Sequence, residues 1–285
     1  MKDLMMASAV GLLVVLVALV ASTKASGGGW KYGETKHGVY GPEDWGKVSH
    51  YCDGRSQSPI DFSDIEDNDD DDDNALEVRF SSEGVSGEVT NNGHSPTFAI
   101  LKGSATLGDY TLGQFHVHFG CREGRGSEHT VQGTGFDGEI HMVFFKTVYG
   151  SVEKAADKTD GLTVVGVFLK KASSSSTMLQ TLTKNMEHIK SQGTKAAYKP
   201  IKLDKLVPGL SSGKRAYYNY KGSLTTPPCY ESVNWIVLKN PILVTLKDLW
   251  HLRMLQSSHG KQTGKMCDNF RPVQKLNGRK LHLFE

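Results

Sequence analysis

Short runs of hydrophobic, strand-forming residues follow one another from Leu76 to Val148, and glycine, asparagine and serine interrupt them. Such runs between turn residues predict a series of β-strands. Leu162 to Leu169 is continuously apolar, which is typical of a strand that is buried on both faces. Ser232 to Leu238 is a further predicted strand.

Two segments have the apolar spacing of a helix. Apolar residues between Met178 and Gln192 recur every three or four positions, and a second such segment extends from Thr245 to Gln256. Threonine is a favoured N-cap residue, so we expect the second helix to begin just after Thr245. Because no internal repeat or linker divides the chain, these elements predict one domain that is mainly β.

Residues 1–25 differ from the rest of the chain. Met5 to Val20 is almost entirely apolar, Lys2 precedes it, and small residues such as Ser22 and Ala25 follow. This layout is typical of a cleaved secretory signal peptide, and about 16 apolar residues are few for the roughly 20 that a membrane span needs. We therefore expect a secreted, extracellular protein that comprises residues 26–285 and has no membrane span. Cleavage could follow either Ser22 or Ala25.

Asp64 to Asp73 contains eight acidic residues in ten positions. Like charges at this density repel one another and favour an exposed surface loop. The alternative is weak binding of Ca²⁺ or of a mineral surface, although the glycine and glutamate spacing of a tight calcium loop is absent. The formal charge of the whole chain is only +2, so the total charge gives no reason to expect a nucleic acid partner.

The stretch with the clearest chemistry is Gln114-Phe115-His116-Val117-His118-Phe119-Gly120. Its aromatic and β-branched residues favour a strand, in which residues two apart point to the same face. His116 and His118 would then project side by side as half of a metal site. His141, in the apolar run that begins at Glu139, is the candidate for a third ligand on a neighbouring strand.

A single histidine is more often an exposed or hydrogen-bonded residue than a metal ligand, but a pair two residues apart among aromatic residues weakens that interpretation. Three imidazoles without a fourth protein ligand would leave one coordination position open, which is typical of catalytic zinc sites. Gln114 and Glu139 each lie two residues before a proposed ligand, on the same strand face. Both could accept the second N–H of that imidazole and fix its orientation.

Several motifs accompany the histidine pair in a fixed order. They are Ser56-Gln57-Ser58-Pro59-Ile60-Asp61, Asn91-Asn92-Gly93-His94, Gly126-Ser127-Glu128-His129-Thr130, Glu139-Ile140-His141 and Gly222-Ser223-Leu224-Thr225-Thr226-Pro227-Pro228. Over about residues 30–280 the set closely resembles the α-class carbonic anhydrases, in particular their secreted branch. The resemblance implies a mixed α/β, mainly β, single domain with a large twisted, mostly antiparallel central sheet and short peripheral helices.

The same resemblance implies an activity, the reversible hydration of CO₂ to bicarbonate and a proton. The three histidines would hold Zn²⁺, which in this family supplies hydroxide at neutral pH. Thr225 would accept the hydrogen of that hydroxide and donate its own to Glu128, which orients the attacking lone pair. His94 occupies the proton-shuttle position of the family, and the ordinary pKa of histidine suits proton transfer near neutral pH.

Other matched residues would line the substrate pocket, order water or support a ligand. The pocket wall would comprise Val143, Val164, Leu224, Thr226 and Trp235. Tyr32, Asn92 and Thr226 would order the water chain, and the backbone of Asn269 would support a ligand histidine. The alternative for the apolar residues of this wall is that they are ordinary core residues and do not contact the substrate. Thr97 replaces a frequent asparagine, and Phe119 and Phe145 replace common tryptophans, so we expect altered water order and packing but the same reaction.

The chain has four cysteines, Cys52, Cys121, Cys229 and Cys267, and no Cys-x-x-Cys pair that would suggest a zinc knuckle. Export would allow disulfides, but spacing alone does not choose among the pairings. The resemblance pairs Cys52 with Cys229, whereas the other two could be free or form a second bridge. It also suggests cis peptide bonds before Pro59 and Pro228.

Two other functions compete with catalysis. A catalytically inactive relative with the same fold would act as a binding module, but such proteins typically lose a zinc histidine, and all three are present. A structural role in a mineralising matrix would use the acidic run, and it is compatible with catalysis because carbonate supply and mineral growth are linked. The His-Glu-x-x-His pattern of metalloproteases is absent. We expect the protein to be a monomer.

Overall fold

The computed structural model describes residues 29–63, 66–67, 76–213, 215–259 and 262–285. The expected signal peptide of residues 1–25 lies outside the described residues. So does the acidic run Asp64–Asp73, except for the backbone of Glu66 and Asp67. None of the helices within the described part of the chain is long and apolar enough to cross a membrane.

The described residues contain sixteen strands and four α-helices. The strands are β1 Asp61–Phe62, β2 Glu66–Asp67, β3 Val78–Phe80, β4 Val85–Asn91, β5 Pro96–Lys102, β6 Ala105–Leu107, β7 Tyr110–Phe119, β8 Thr130–Val131, β9 Gly138–Lys146, β10 Leu162–Lys171, β11 Lys195–Ile201, β12 Tyr217–Gly222, β13 Val233–Val244, β14 Gln256–His259, β15 Gln262–Lys265 and β16 His282–Phe284. The α-helices are α1 Val152–Ala155, α2 Thr177–Lys184, α3 Leu203–Leu206 and α4 Leu246–Arg253. Short 3₁₀ helices span Pro42–Lys47, His50–Asp53, Thr147–Tyr149 and Asn185–His188.

Twelve of the described strands form one sheet. Ten follow the order β11-β4-β5-β7-β9-β10-β13-β12-β16-β2, while β6 pairs with β7 and with β3. Most neighbours are antiparallel, but β10 runs parallel to β13, and β16 runs parallel to β2. The predicted mainly β domain with a large, mostly antiparallel sheet and short helices is therefore confirmed, and the sheet is mixed.

Hydrophobic cores cover both faces of the sheet centre. On β7, Phe115, Val117 and Phe119 enter the larger core, which also contains side chains of α2 and α4. The residues between them point to the other face, where His116 and His118 lie. This alternation confirms the predicted strand and places the histidine pair away from the larger core.

Strand β10 is buried on both faces, as its continuous apolar run predicts. Leu162, Val164 and Phe168 belong to one core, whereas Val165 and Val167 belong to the other. Its two neighbours, β9 and β13, occupy both of its edges, so its backbone is enclosed as well. A strand in this position has no polar face to present to solvent, which explains its composition.

The helix predicted from Met178 to Gln192 is shorter in the structure. Ser176 caps its start by accepting a hydrogen bond from the backbone N–H of Leu179. Its α-helical part ends at Lys184, and the Asn185 side chain donates to the backbone oxygen of Thr181 at 2.9 Å. Asparagine competes in this way for helix carbonyls, and a short 3₁₀ helix follows.

The second predicted helix begins where its cap was expected. Thr245 and Asp248 form a reciprocal capping box at the start of α4, in which each side chain accepts from the backbone of the other. The helix ends at Arg253, three residues before the predicted end at Gln256, which instead begins β14.

Two disulfides connect distant parts of the chain. Cys52 is bonded to Cys229, the pair that the resemblance suggests, and Cys121 is bonded to Cys267. The sequence left open whether Cys121 and Cys267 are free or bridged, and in the structure they are bridged. The peptide bonds before Pro59 and Pro228 are both cis, as expected.

Replacing Cys52 and Cys229 together with serine should lower the free energy of unfolding by about 2–5 kcal/mol, because the bridge closes a long loop of the unfolded chain. Denaturant unfolding of the oxidised protein and the double variant measures the difference. The reduced wild-type protein and the reduced variant should unfold at nearly the same midpoint. If the oxidised proteins also shared one midpoint, this bridge would contribute nothing to stability.

Candidate metal centre

Three histidines meet on adjacent strands. His116 on β7 lies directly opposite His141 on β9, and His118 lies opposite Glu139. The three rings offer one nitrogen each, and these nitrogens all lie within 4.8 Å of one another. The structure therefore brings together the three ligands that the sequence predicts.

The second nitrogen of each ring has its own hydrogen-bond acceptor. Nδ1 of His116 lies 3.0 Å from Oε1 of Gln114, and Nε2 of His141 lies 2.8 Å from Oε1 of Glu139. Nδ1 of His118 lies 2.7 Å from the backbone oxygen of Asn269. Each of these acceptors requires a proton on the nitrogen that faces it, which assigns the tautomer. A lone pair is then left on Nε2 of His116, Nε2 of His118 and Nδ1 of His141.

These lone pairs fit a metal ion. Nε2 of His118 and Oε2 of Glu128 are both buried and have no hydrogen-bond partner within the described residues, yet they lie 3.4 Å apart. Nδ1 of His141 lies 3.8 Å from the same carboxylate oxygen. Two acceptor atoms that face one another in a buried site are stabilised by a positive charge between or beside them, which a metal ion can supply. Three neutral imidazoles with an open fourth position form a donor set suited to Zn²⁺.

Desolvation favours the neutral form of two of the three histidines, His116 and His118. It lowers the pKa of His116 well below its ordinary value, and the neighbouring rings of His118 and His141 add to the effect. Desolvation also lowers the pKa of His118, against the opposing charge of Glu128. Only a neutral imidazole has a lone pair for a metal, so these directions favour binding at neutral pH.

Glu139 is the acceptor for four hydrogen bonds although its side chain is fully buried. Oε1 accepts from Nε2 of His141 and from Nδ1 of His129 at 2.7 Å, and Oε2 accepts from the backbone N–H groups of Glu128 and His129. Burial by itself would raise the pKa of this carboxyl group, but the two histidine rings and their hydrogen bonds hold it well below its ordinary value. The carboxylate thus fixes one ligand ring and the backbone that carries Glu128.

His129 and Tyr220 continue this network, and the sequence alone did not identify their role. Nε2 of His129 lies 2.7 Å from the hydroxyl of Tyr220, which lies 2.9 Å from the hydroxyl of Ser58. His129 does stand in the motif Gly126–Thr130, but its partner Tyr220 is far away in sequence. Gly166 leaves space for the carboxylate of this network, because a Cβ atom at position 166 would lie only 2.9 Å from Oε1 of Glu139.

Glu128 is held by its own set of contacts. Its side chain is buried, and Oε1 accepts from the backbone N–H of Arg271 at 2.8 Å. The buried guanidinium of Arg271 donates to the side chain of Gln57 and to the backbone oxygens of Ser58 and Cys52. Burial lowers the pKa of Arg271 to about 10, so the group stays charged at neutral pH. Arg271 was not identified from the sequence.

Thr225 lies in the loop between β12 and β13 and is buried. The hydrogen bond from the backbone N–H of Cys229 to the oxygen of Thr226 closes this loop, and the bridge to Cys52 anchors it. Within the described residues no hydrogen bond joins the hydroxyl of Thr225 to Glu128. Their predicted cooperation therefore stays a prediction.

The apolar residues predicted for the pocket wall lie next to the histidines. Val164 on β10 is paired with Val143 on β9 and with Trp235 on β13, and all three belong to the same core as the half-buried Leu224. The indole of Trp235 packs 4.8 Å from the ring of His141. The structure thus brings these residues together in one core beside His141.

His94 lies in the turn between β4 and β5, which the side chain of Asn92 closes. Oδ1 of Asn92 accepts from the backbone N–H groups of His94 and Ser95, while its Nδ2 donates to the hydroxyl of Thr97. The imidazole of His94 stacks on Trp30, with ring centroids 3.7 Å apart. Tyr32 packs edge-on against the same ring at 6.4 Å.

The chain is similar to known carbonic anhydrases over most of its length. Residues 40–284 match the eukaryotic-type carbonic anhydrase family. Carbonic anhydrase 1 of Mus musculus is 34% identical over 260 residues, which cover 88% of this chain and 96% of the relative. Carbonic anhydrase 1 of Monodelphis domestica is 33% identical over 262 residues, with the same coverage. The chain therefore belongs to the eukaryotic-type carbonic anhydrases.

Proposed function

We propose that the chain catalyses the reversible hydration of CO₂ to bicarbonate and a proton with Zn²⁺ held by His116, His118 and His141. Family membership makes the chain a carbonate dehydratase. The observation that carries the metal assignment is the convergence of three imidazole lone pairs beside Oε2 of Glu128, for which the described part of the chain provides no hydrogen-bond partner. When bound, Zn²⁺ lowers the pKa of a coordinated water to about 7, as is established for carbonic anhydrases, and so supplies hydroxide.

Thr225 and Glu128 would orient the nucleophile. Oγ1 of Thr225 would donate its hydrogen to Oε2 of Glu128 and accept a hydrogen from the attacking hydroxide. Glu128 is suited to this role because the backbone N–H of Arg271 fixes its other oxygen, Oε1. An oriented hydroxide presents its lone pair to the substrate carbon, which is a positioning effect.

The substrate itself is uncharged, so an apolar surface suits it. Val143, Val164, Leu224 and Trp235 would form that surface beside His141. Thr226 would border it from the loop that carries Thr225. These side chains would exclude water from the carbon atom under attack and leave the polar groups to hold the nucleophile.

His94 would move the proton that hydration releases. Its turn is closed by Asn92, and its ring rests on Trp30 next to Tyr32. An imidazole can accept a proton on one nitrogen and release one from the other near neutral pH. Asn92, Tyr32 and Thr226 would order the water through which the proton travels.

Replacing His94 with alanine should lower kcat in weakly buffered solution, because no side chain at that position could then carry the proton away. Added imidazole should restore much of the rate by acting as a mobile proton acceptor. Stopped-flow CO₂ hydration at several buffer concentrations measures both effects. His188→Ala, which removes an exposed histidine of the 3₁₀ helix after α2, is the matched control and should leave kcat unchanged. A His94→Ala variant whose rate did not depend on buffer concentration would contradict the shuttle role.

The proposed function as a whole is tested by metal analysis and CO₂ hydration kinetics on the chain of residues 26–285. We expect close to one zinc ion per chain, loss of activity with a zinc chelator, and recovery when Zn²⁺ is added back. A zinc-free protein that hydrated CO₂ at the same rate would refute the assigned centre. A zinc-loaded protein without activity would indicate a binding module with the carbonic anhydrase fold.

We also infer that the protein is secreted after removal of residues 1–25. Its two disulfides are compatible with an oxidising compartment. N-terminal sequencing of the protein from the culture medium of expressing cells tests this inference. A protein retained inside the cells with Met1 intact would contradict it.

A further inference from the structure

Residues 267–271 follow β15 and belong to no strand or helix, yet they contact several parts of the metal centre. We call them the Cys267–Arg271 segment. Asn269 contacts the ligand His118 and donates from Nδ2 to the backbone oxygen of His94, and Arg271 contacts Glu128. Its position therefore influences three groups of the proposed site at once.

The segment fixes His118 from two directions. The backbone oxygen of Asn269 accepts from Nδ1 of the ring at 2.7 Å. The side chain of the same asparagine spans the backbone on both sides of the ligand, because Oδ1 accepts from the N–H of Phe119 at 2.8 Å and Nδ2 donates to the oxygen of Val117 at 3.1 Å. A displacement of Asn269 would thus remove the acceptor of the His118 ring and two contacts with the backbone beside it.

The start of the segment is attached to the end of β7. The backbone N–H of Asp268 donates to the oxygen of Phe119, and Oδ1 of Asp268 accepts from the backbone N–H of Cys121, both at 2.9 Å. The disulfide between Cys121 and Cys267 joins the same two stretches covalently. Each end of this bridge lies within three residues of His118 or Asn269.

We propose that the Cys121–Cys267 disulfide is a positioning element of the metal centre, which holds Asn269 against His118 and so slows the release of Zn²⁺. The proposal rests on the proposed zinc site. Mutating a hydrogen-bond partner of a ligand histidine typically lowers metal affinity about 10–100-fold, so loosening Asn269 should speed zinc release by about tenfold, the lower end of that range.

The other disulfide provides a matched control. Cys52 and Cys229 are 177 residues apart and Cys121 and Cys267 are 146 apart, so the two bridges restrict the unfolded chain to a similar extent. The Cys52–Cys229 bridge anchors the loop of Thr225, and neither cysteine contacts His118. The backbone oxygen of Cys52 accepts from Arg271, and a serine at position 52 keeps that oxygen. A general loss of stability should affect both double variants, whereas a positioning effect should appear only in Cys121→Ser/Cys267→Ser.

The experiment compares zinc-loaded wild-type protein with the two double serine variants. Zinc release to a competing chelator is followed at a temperature well below unfolding. Amide hydrogen exchange at Phe119 is measured separately in the zinc-free proteins, since that N–H donates directly to Asn269. We expect faster release and faster exchange for Cys121→Ser/Cys267→Ser, with both rates close to wild type for Cys52→Ser/Cys229→Ser.

If the Cys121→Ser/Cys267→Ser variant does not fold, the folded wild-type protein can be reduced instead. Cys121 is exposed, whereas Cys52 and Cys229 are buried, so a water-soluble phosphine should open the Cys121–Cys267 bridge first. That step converts the disulfide to two thiols and the phosphine to its oxide, with the oxygen taken from water. Alkylation of the new thiols identifies the opened bridge, and zinc release is then measured as before.

Equal zinc release from wild type and Cys121→Ser/Cys267→Ser would overturn the positioning role, and so would equal acceleration in both double variants. These outcomes leave the proposed function intact, because the wild-type protein would still hold zinc. A wild-type protein that bound no zinc would instead refute the proposed function. The exchange rate of Phe119 would then decide by itself whether the bridge holds Asn269 in place.

Discussion

Replacing His118 with alanine should remove Zn²⁺ from the protein and lower the rate of CO₂ hydration by more than about 100-fold. Loss of a residue that only orients a ligand typically costs 10–100-fold in metal affinity, and this change removes a ligand itself. The variant would also leave the backbone oxygen of Asn269 and Oε2 of Glu128 facing a cavity. Metal analysis after dialysis and stopped-flow kinetics measure the two effects.

His251→Ala is the matched control for this change. His251 is also buried and also lies near a carboxylate, with Nε2 3.1 Å from Oε1 of Glu187, but it belongs to α4 and is remote in sequence from the ligand set. We expect this variant to retain zinc and most of its activity. Wild-type turnover in His118→Ala, or equal loss of zinc in both variants, would show that the centre is assigned wrongly.

Replacing His129 with alanine should lower the free energy of unfolding by about 3–5 kcal/mol, the usual cost of removing one partner of a buried ion pair or hydrogen-bonded charge. The reason is that Oε1 of Glu139 would lose the hydrogen bond from Nδ1 of His129, while the carboxylate of Glu139 stayed buried and charged. The hydroxyl of Tyr220 would lose a partner as well. Denaturant unfolding of the zinc-free protein measures the change without any contribution from metal binding.

Tyr220→Phe tests the same network more gently. It removes only the hydroxyl that lies between His129 and Ser58, so about 1–3 kcal/mol should be lost. A larger loss of stability in His129→Ala than in Tyr220→Phe would show that the contact of His129 with Glu139 stabilises the protein. Equal losses in His129→Ala and Tyr220→Phe would mean that the contact of His129 with Glu139 contributes little.

The sequence was sufficient for the parts of the site that depend on short-range geometry. Alternation along β7 places His116 and His118 on one face, and the same period of two places Gln114 and Glu139 beside their ligands. His141 could be predicted because an isolated histidine in an apolar run is unusual. The register that sets His141 opposite His116 could not be read from spacing, since it depends on pairing between whole strands.

Contacts made through the backbone or across long sequence distances escaped prediction from the residues alone. Asn269 supports His118 through a carbonyl oxygen, which every residue type possesses, so only the family resemblance indicated it. Arg271 holds Glu128 through its backbone N–H, and nothing in its own side chain points to that role. His129 was visible in a motif, but its position between Glu139 and Tyr220 required the folded structure.

The sheet and its helices also have features that the sequence predicts and features that it does not. A continuous apolar run predicted that β10 is enclosed, yet it could not tell that β13 would lie parallel to it, because burial on both faces is compatible with either direction. The shortened helix α2 has a local cause that could have been found, since Asn185 stands where its side chain can compete for the helix carbonyls.

The two disulfides interlock along the chain. One joins Cys52 to Cys229, and the other joins Cys121, which lies between them, to Cys267, which lies beyond them. Whichever peptide bond a protease hydrolysed between Cys52 and Cys267, at least one bridge would still connect the two fragments, and this range includes the acidic run Asp64–Asp73. A single cut would therefore leave a nicked but covalently joined molecule, whose fragments would separate only after reduction.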